Sequence, residues 1–379
     1  MKNIVVLGSG MVGSAMAIDL SKNHNVTVSD IDQNILNKVR ENNKELKILC
    51  IDVTNESELK NAIAVFDLVV CAVPGFLGYK TLKTIIEAKK DVVDISFFPE
   101  NALKLNTLAV QNKVTAIVDC GVAPGMGNII LGHYNELLKI SSFDCLVGGL
   151  PKAKKWPFNY KAPFSPIDVI EEYTRPARYV ENGKVITRDA LSDVELVDFE
   201  KVGTLESFNS DGLRSLIFTM PHIPNMKEKT LRYPGHVEYV QVLKESGFFN
   251  EKSIEINGMP ISPLEFTSKI LFNEWYLGKT EEELTVMKIS ISGTNSEGRT
   301  EKIIYELYDE FDGATGTSSM ARTTGYTATA AVNLIVEKLF VGKGIFPPEQ
   351  VGKHEACFQY VINYLKDRNV IYKKDSIIS

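Results

Sequence analysis

The sequence predicts an α/β protein: an N-terminal Rossmann domain built on a doubly wound parallel sheet, followed by an α+β domain with a mixed sheet. Three observations lead there. Over the first 120 residues short apolar runs alternate with helical patterns, as a parallel sheet covered on both faces requires. Gly8-Ser9-Gly10-Met11-Val12-Gly13 stands between the first apolar run and the first helical pattern, where a dinucleotide fingerprint belongs. Beyond Asp119 the runs lengthen, alternate apolar with polar, and join through tight turns such as Asn182-Gly183, the habit of antiparallel strands.

The first strand is expected over 4–7 and the first helix over 11–22. Gly8 permits the tight turn, Gly10 lets backbone approach a pyrophosphate, and Gly13 lets helix and strand pack closely. The free N–H groups of the helix start, at Met11 and Val12, then face the phosphates. A second strand over 26–29 closes on Asp30, placed to accept hydrogen bonds from the adenosine ribose hydroxyls. A carboxylate there repels a 2′-phosphate, so NAD is expected in preference to NADP. Strands follow over 46–50, 68–73, 92–95 and 114–118, with helices over 33–41, 56–66, 77–89 and 100–112. Asn55 and Glu58 stand at capping-box spacing at the start of the third helix.

Ligands of open parallel sheets bind outside the carboxyl ends of the strands. That rule nominates Asp52 and Val53 beside the adenine, and Cys71, Ala72, Val73 and Pro74 along the nicotinamide half. It also nominates Ile95, Cys120 and Gly121, with two acids, Asp94 and Asp119, close to the reacting ring. Each acid could equally cap the turn that follows it.

After a glycine-rich turn over 119–128, a helix is expected to about 138. Hairpins are expected from 178–181 with 184–187, and from 284–293 with 302–309. A helix is expected over 263–277, and a long loop over 150–165, of a size that is often functional. Helical patterns return over 318–340 and 354–366, with a last strand over 370–372. The divisions are 1–125, 126–317 and 318–379.

The polar residues of the middle region suit a small charged substrate. Glu171, Glu172, Tyr173, Arg175 and Arg178 fall in one short span, with Arg214, Arg232 and His236 further on. An arginine fork binds a carboxylate bidentately, and acids suit an ammonium. Any single arginine is better explained by a surface or interdomain ion pair. His236 could shuttle a proton or simply open a helix after Pro234-Gly235.

Composition bounds the partners. The chain has 379 residues, 44% of them apolar and 24% charged, with net charge −6. That balance offers nucleic acid or an anionic membrane no electrostatic attraction. No uninterrupted apolar span suggests a membrane helix, and no cleavable leader is expected. The five cysteines are scattered singly, with no metal-ligand spacing. No metal is expected, and a reducing, cytoplasmic setting fits best.

Together the glycine fingerprint, 119–125, 164–178, Thr204-Leu205-Glu206-Ser207-Phe208, 211–215 and 229–236 resemble the saccharopine dehydrogenase family, from the start of the chain to about residue 330. Within it the resemblance is nearest to the lysine 6-dehydrogenase branch. It implies NAD-dependent oxidation of the lysine side-chain amine with release of ammonia, the semialdehyde product cyclising to piperideine-6-carboxylate. It implies a homodimer or an assembly of dimers, the middle domain serving both substrate and dimerisation. A late helix near Met320-Ala321-Arg322-Thr323-Thr324 is expected to return to the cofactor domain. The base that frees the amine lies among Asp94, Asp119, Tyr173 and His236. Arg175, Arg178, Arg214 or Arg232 would hold the α-carboxylate, with Glu171 or Glu172 near the α-amine. The other readings are a saccharopine dehydrogenase acting on a secondary amine, and a non-catalytic NAD-responsive sensor.

Overall fold

Near-continuous apolar runs can be buried on both faces at once, and the first half of the chain folds accordingly. In a computed structural model that describes residues 1–164, 166–278 and 281–378, the runs form β1 (Asn3–Leu7), β2 (Asn25–Asp30), β3 (Lys47–Cys50), β4 (Leu68–Cys71), β5 (Asp91–Asp94) and β6 (Thr115–Ile117). Between them lie α1 (Met11–Ser21), α2 (Gln33–Asn42), α3 (Glu56–Ile63), α4 (Gly75–Glu87) and α5 (Asn106–Gln111). The strands pair in parallel in the order β3-β2-β1-β4-β5-β6. The point where the order reverses, between β1 and β4, opens the crevice for a ligand.

Some boundaries differ from the sequence reading. The helix expected over 100–112 is a 3₁₀ turn, Ala102–Leu105, followed by α5; the Asn101 side chain caps the turn on Leu103 N–H at 3.0 Å. β4 stops at Cys71, so Ala72 and Val73 belong to the loop, and α4 starts at Gly75 directly after Pro74. A seventh parallel strand, Gly344–Phe346, extends the sheet beyond β6.

The second sheet has nine strands and is mixed. After α6 (Met126–Asn135) come β7 (Lys139–Pro151), α7 (Pro166–Thr174), the hairpin of β8 (Ala177–Glu181) and β9 (Lys184–Arg188), β10 (Glu195–Phe199), β11 (Gly203–Asn209), α8 (Leu216–Thr219), β12 (Met226–Arg232) and α9 (His236–Glu245). β7 lies parallel to β12 and antiparallel to Glu283–Thr294, which pairs in turn with Thr300–Glu310. The loop expected over 150–165 begins inside β7, and its far end, Ser165, lies outside the described residues. A short hairpin, Ile254–Ile256 with Met259–Ile261, turns at Asn257-Gly258, both at positive φ. It precedes the helix Pro263–Trp275.

The last part of the chain joins both sheets. The helix Ser319–Val336 lies against α1, and Asp19 of α1 is buried in that contact. Its carboxylate accepts from Thr329 Oγ1 at 2.8 Å, Tyr364 OH at 2.7 Å and Arg368 Nε at 2.9 Å. Burial opposes its charge, but Arg368 and the two hydroxyls outweigh burial and hold the carboxyl below its usual range. The helix Glu355–Lys366 then leads to Tyr372–Ile378, longer than the expected strand, on the edge of the second sheet. Among the described residues no helix is long and apolar enough to cross a membrane.

Candidate active site

The glycine loop is shaped by three different needs. Gly8 has φ +100°, and a Cβ there would lie 2.4 Å from the Ala72 carbonyl oxygen. A Cβ on Gly13 would lie 2.0 Å from the Gly8 oxygen, whereas one on Gly10 would meet nothing within 4 Å. Open space at Gly10 therefore adjoins the start of α1, which has no side-chain cap and no acid in its first turn. Unsatisfied N–H groups and the positive dipole end fit a pyrophosphate there. Met11 is exposed and Val12 half-buried beside it. Gly13→Ala is expected to cost about 1–3 kcal/mol of stability through overpacking. Gly10→Ala, at φ −64°, is expected to leave the melting temperature unchanged while weakening NADH binding. Thermal melts and fluorescence titration check the contrast.

Asp30 ends β2 with both oxygens engaged. One accepts from Ser9 N at 2.9 Å and Ser9 Oγ at 2.7 Å, and the other from Asp32 N at 3.1 Å. It thus braces the glycine loop while staying half-exposed. Asp52 folds back on Thr54, whose hydroxyl and N–H hold its carboxyl below the usual range, and Val53 is half-buried beside it. At the neighbouring strand ends Cys71, Val73, Cys120 and Gly121 are buried, Ala72 and Ile95 half-buried, and Pro74 exposed.

The two strand-end acids differ. Asp94 is fully buried and accepts from Ser96 N at 3.0 Å and Ser96 Oγ at 3.2 Å. Burial, opposed by the Cys71 thiol and reinforced by the charge of Asp119, pushes its carboxyl up to about 7. Asp119 is matched by Arg214, whose Nε donates to Oδ1 at 2.9 Å and whose Nη1 donates to the Phe98 carbonyl at 2.7 Å. The same guanidinium lies over the Phe97 ring, 4.7 Å from its centroid.

The second sheet supplies the opposite wall. Along β12 the residues Glu228, Thr230 and Arg232 share one face, as the two-residue period dictates. Arg232 pairs with Glu172 at 2.8 Å, donates to Tyr173 OH at 3.1 Å, and lies over the Tyr160 ring. Tyr173 OH and His236 Nε2 are 2.9 Å apart, and His236 Nδ1 bonds the Phe158 carbonyl at 2.9 Å. The carbonyl can only accept, so Nδ1 carries the proton and Tyr173 donates to Nε2. Burial and the nearby Arg232 hold His236 down at about 3, and burial drives the Tyr173 hydroxyl up. Two of the four sequence candidates for the base are therefore engaged with each other in an aromatic cluster with Trp275. Nor does His236 cap α9, because Glu206 accepts from Gly235 N and Val237 N.

The four arginines divide unevenly. Arg178 is closed by a two-pronged pair with Asp211, both prongs 2.8 Å, Arg214 by Asp119 and Arg232 by Glu172. Arg175 pairs with exposed Glu171 at 2.9 Å and lies over Phe97, yet its Nη1 is buried without a partner among the described residues. Sequence reasoning missed Phe97 and Phe98, on which two arginines stack, and Glu228. No group of acids, histidines and cysteines among the described residues could hold a metal.

Two family models cover most of the chain: "Saccharopine dehydrogenase NADP binding domain" over residues 4–117 and "Saccharopine dehydrogenase C-terminal domain" over 121–371. The chain is 23% identical to saccharopine dehydrogenase [NADP(+), L-glutamate-forming] of Saccharomyces cerevisiae, across the whole of both. It is 21% identical to the mitochondrial alpha-aminoadipic semialdehyde synthase of Mus musculus, and spans about half (48%) of that protein's length. The fold matches that of apo saccharopine dehydrogenase (L-Glu forming) from Saccharomyces cerevisiae, with a TM-score of 0.80 over the whole of both chains at 21% identity.

Proposed function

This chain belongs to the saccharopine dehydrogenase family, and from that premise we propose that it is an NAD-dependent dehydrogenase of L-lysine. It would oxidise the side-chain amine to 2-aminoadipate 6-semialdehyde, which cyclises to piperideine-6-carboxylate, and release ammonia. The observation that carries the choice of substrate is the pairing of the arginines. Saccharopine brings three carboxylates and lysine one. Of the four arginines near the site, Arg178, Arg214 and Arg232 are each closed by an internal acid. Among the described residues Arg175 alone of the four has a buried nitrogen without a partner. One free guanidinium edge suits one α-carboxylate.

Asp30 supports NAD over NADP, because a carboxylate at the end of β2 suits ribose hydroxyls and repels a 2′-phosphate. The relatives named for NADP make this choice a point to test. The glycine loop and the start of α1 would hold the pyrophosphate, and Asp30 the adenosine ribose. When bound, the nicotinamide supplies the hydride acceptor. The protein's own task is to free the amine of its proton, fix the α-carboxylate on Arg175 and keep water out until hydrolysis.

NADH formation is expected with L-lysine and NAD at mildly alkaline pH, with equimolar ammonia and poor use of NADP. Turnover of saccharopine and none of lysine would overturn the reading in favour of the secondary-amine alternative. NADH binding without turnover of either would favour the sensor. Arg175→Met is expected to raise KM for lysine about 10- to 100-fold, the worth of a hydrogen-bonded charge at 1.5–3 kcal/mol, with a smaller effect on kcat.

A further inference from the structure

We propose that Glu228 is the group that receives the substrate's ammonium and accepts its proton. The inference rests on the reading of an amine substrate, and its geometry comes from a charge imbalance around β12 of the second sheet. Three further carboxylates, Asp119, Asp211 and Glu172, act on the charge of Glu228. Three guanidiniums lie among them, and each is committed: Arg214 to Asp119, Arg178 to Asp211 and Arg232 to Glu172. Glu228 is the fourth acid, and it has no such match.

Glu228 is 4% exposed, and no hydrogen bond or ion pair joins its carboxylate to any described residue. Its neighbours along β12 do not help: Thr230 donates to Ser210 Oγ at 2.8 Å, and Arg232 is held by Glu172. Room has been left for it. A Cβ on Gly212 would lie 1.9 Å from Glu228 Oε1, so the glycine of Asp211-Gly212-Leu213-Arg214 keeps the carboxylate's place open. A buried acid in a space it does not fill with a partner is costly, unless a cation arrives to complete the set. The substrate's ammonium is such a cation, and it restores neutrality.

The position suits the chemistry. Asp119, one of the acids that Glu228 faces, follows β6 and adjoins Cys120 and Gly121 at the strand ends. Glu172 faces it from α7, Asp211 and Arg214 from the loop after β11, and the Cys145 thiol from β7. Burial, with Asp211 and Glu172 adding to it and Arg214 opposing, pushes the carboxyl up to about 8. In the proposed step an N–H bond of the ammonium breaks and its electron pair stays on nitrogen. The proton forms an O–H bond on Glu228, and the freed lone pair lets the adjacent carbon give up hydride. Asp94 is less free to do this, since it already accepts two hydrogen bonds from Ser96.

The test is Glu228→Gln, which keeps shape and removes the charge. On whichever substrate the wild type oxidises, L-lysine or saccharopine, kcat/KM at pH 8 is expected to fall about 100-fold or more, the usual worth of a positioned base. The residual rate should climb about tenfold per pH unit from 8 to 10, because only free amine then reacts, whereas the wild-type profile levels off. Folding is checked separately. The raised carboxyl makes the wild type lose stability as pH rises from the ordinary carboxylate range through about 8. The Gln variant should lack that loss and melt no lower than wild type at pH 8. Gly212→Ala, which crowds the same carboxylate, should show a weaker form of the same altered profile. An unchanged kcat/KM and pH profile in Glu228→Gln overturns the role of Glu228 and leaves the lysine reading standing. A wild type that oxidises saccharopine and not lysine overturns the lysine reading alone, and one that oxidises neither overturns both.

Discussion

Arg214→Met is expected to lower the stability of the folded chain by about 3–5 kcal/mol, the cost of removing one partner of a buried ion pair. Arg214 and Asp119 are each 6% exposed, so water cannot take over the lost contact. Methionine preserves much of the packing against Phe97 and Phe98, leaving charge as the main change. Asp119 would remain buried beside Asp94 with no cation, and the Phe98 carbonyl would lose its donor. The double variant Arg214→Met with Asp119→Asn should recover a large part of the loss, since it removes the orphaned charge. Urea unfolding of the four proteins in the cycle measures this. A single-variant loss below about 1 kcal/mol, the range of a surface pair, would show that this pair does not hold the wall of the site.

Asp30→Ala should abolish the preference for NAD that we propose. Loss of charge-assisted hydrogen bonds to the ribose hydroxyls is worth about 1.5–3 kcal/mol, so kcat/KM with NAD should fall about 10- to 100-fold. NADP, no longer repelled, should be used about as well as NAD. Asp30 also holds Ser9 through two hydrogen bonds, and a slack loop would weaken both cofactors alike. Ser9→Ala separates these effects, because it removes the hydroxyl contact and spares the carboxylate. The ratio of the two cofactors reads Asp30, and their common level reads the brace. A ratio unmoved by Asp30→Ala would mean that another residue selects the cofactor.

What the sequence revealed depended on how local each signal was. The Rossmann sheet was legible because each strand is a continuous apolar run and the glycine turn, helix and acid follow within 30 residues. Gly344–Phe346 was not, since three residues carry no period and their partner β6 lies far upstream. The Asn257-Gly258 hairpin carried the same signal as Asn182-Gly183, but its flanking strands have three residues each. In the site, residue type pointed to chemistry and burial then reassigned it. Tyr173 and His236 look like an acid–base pair, yet they bond each other inside an apolar cluster. The arginines were visible and their partners were not, because the acids that close them lie 33, 60 and 95 residues away. Glu228 escaped notice because it stands in a run of three charged residues, Lys227-Glu228-Lys229, a pattern usual at the surface. Lys229 is nonetheless buried and donates to the Asp193 carbonyl, so only the folded sheet shows that the stretch lies inside.

The pairing of Gly344–Phe346 with β6 also sets a timetable for biosynthesis. Thr115 bonds the Gly342 carbonyl across 227 residues, so the outer edge of β6 stays bare while those residues are made. At 5–20 residues per second that interval lasts roughly 10–45 s. An unpaired apolar strand edge is a template for aggregation throughout that time. The nascent chain should therefore depend on chaperones until its last tenth emerges, and a ribosome-stalled chain ending near residue 340 should be far more protease-sensitive in β6 than one extended beyond residue 379 by a linker long enough to clear the exit tunnel.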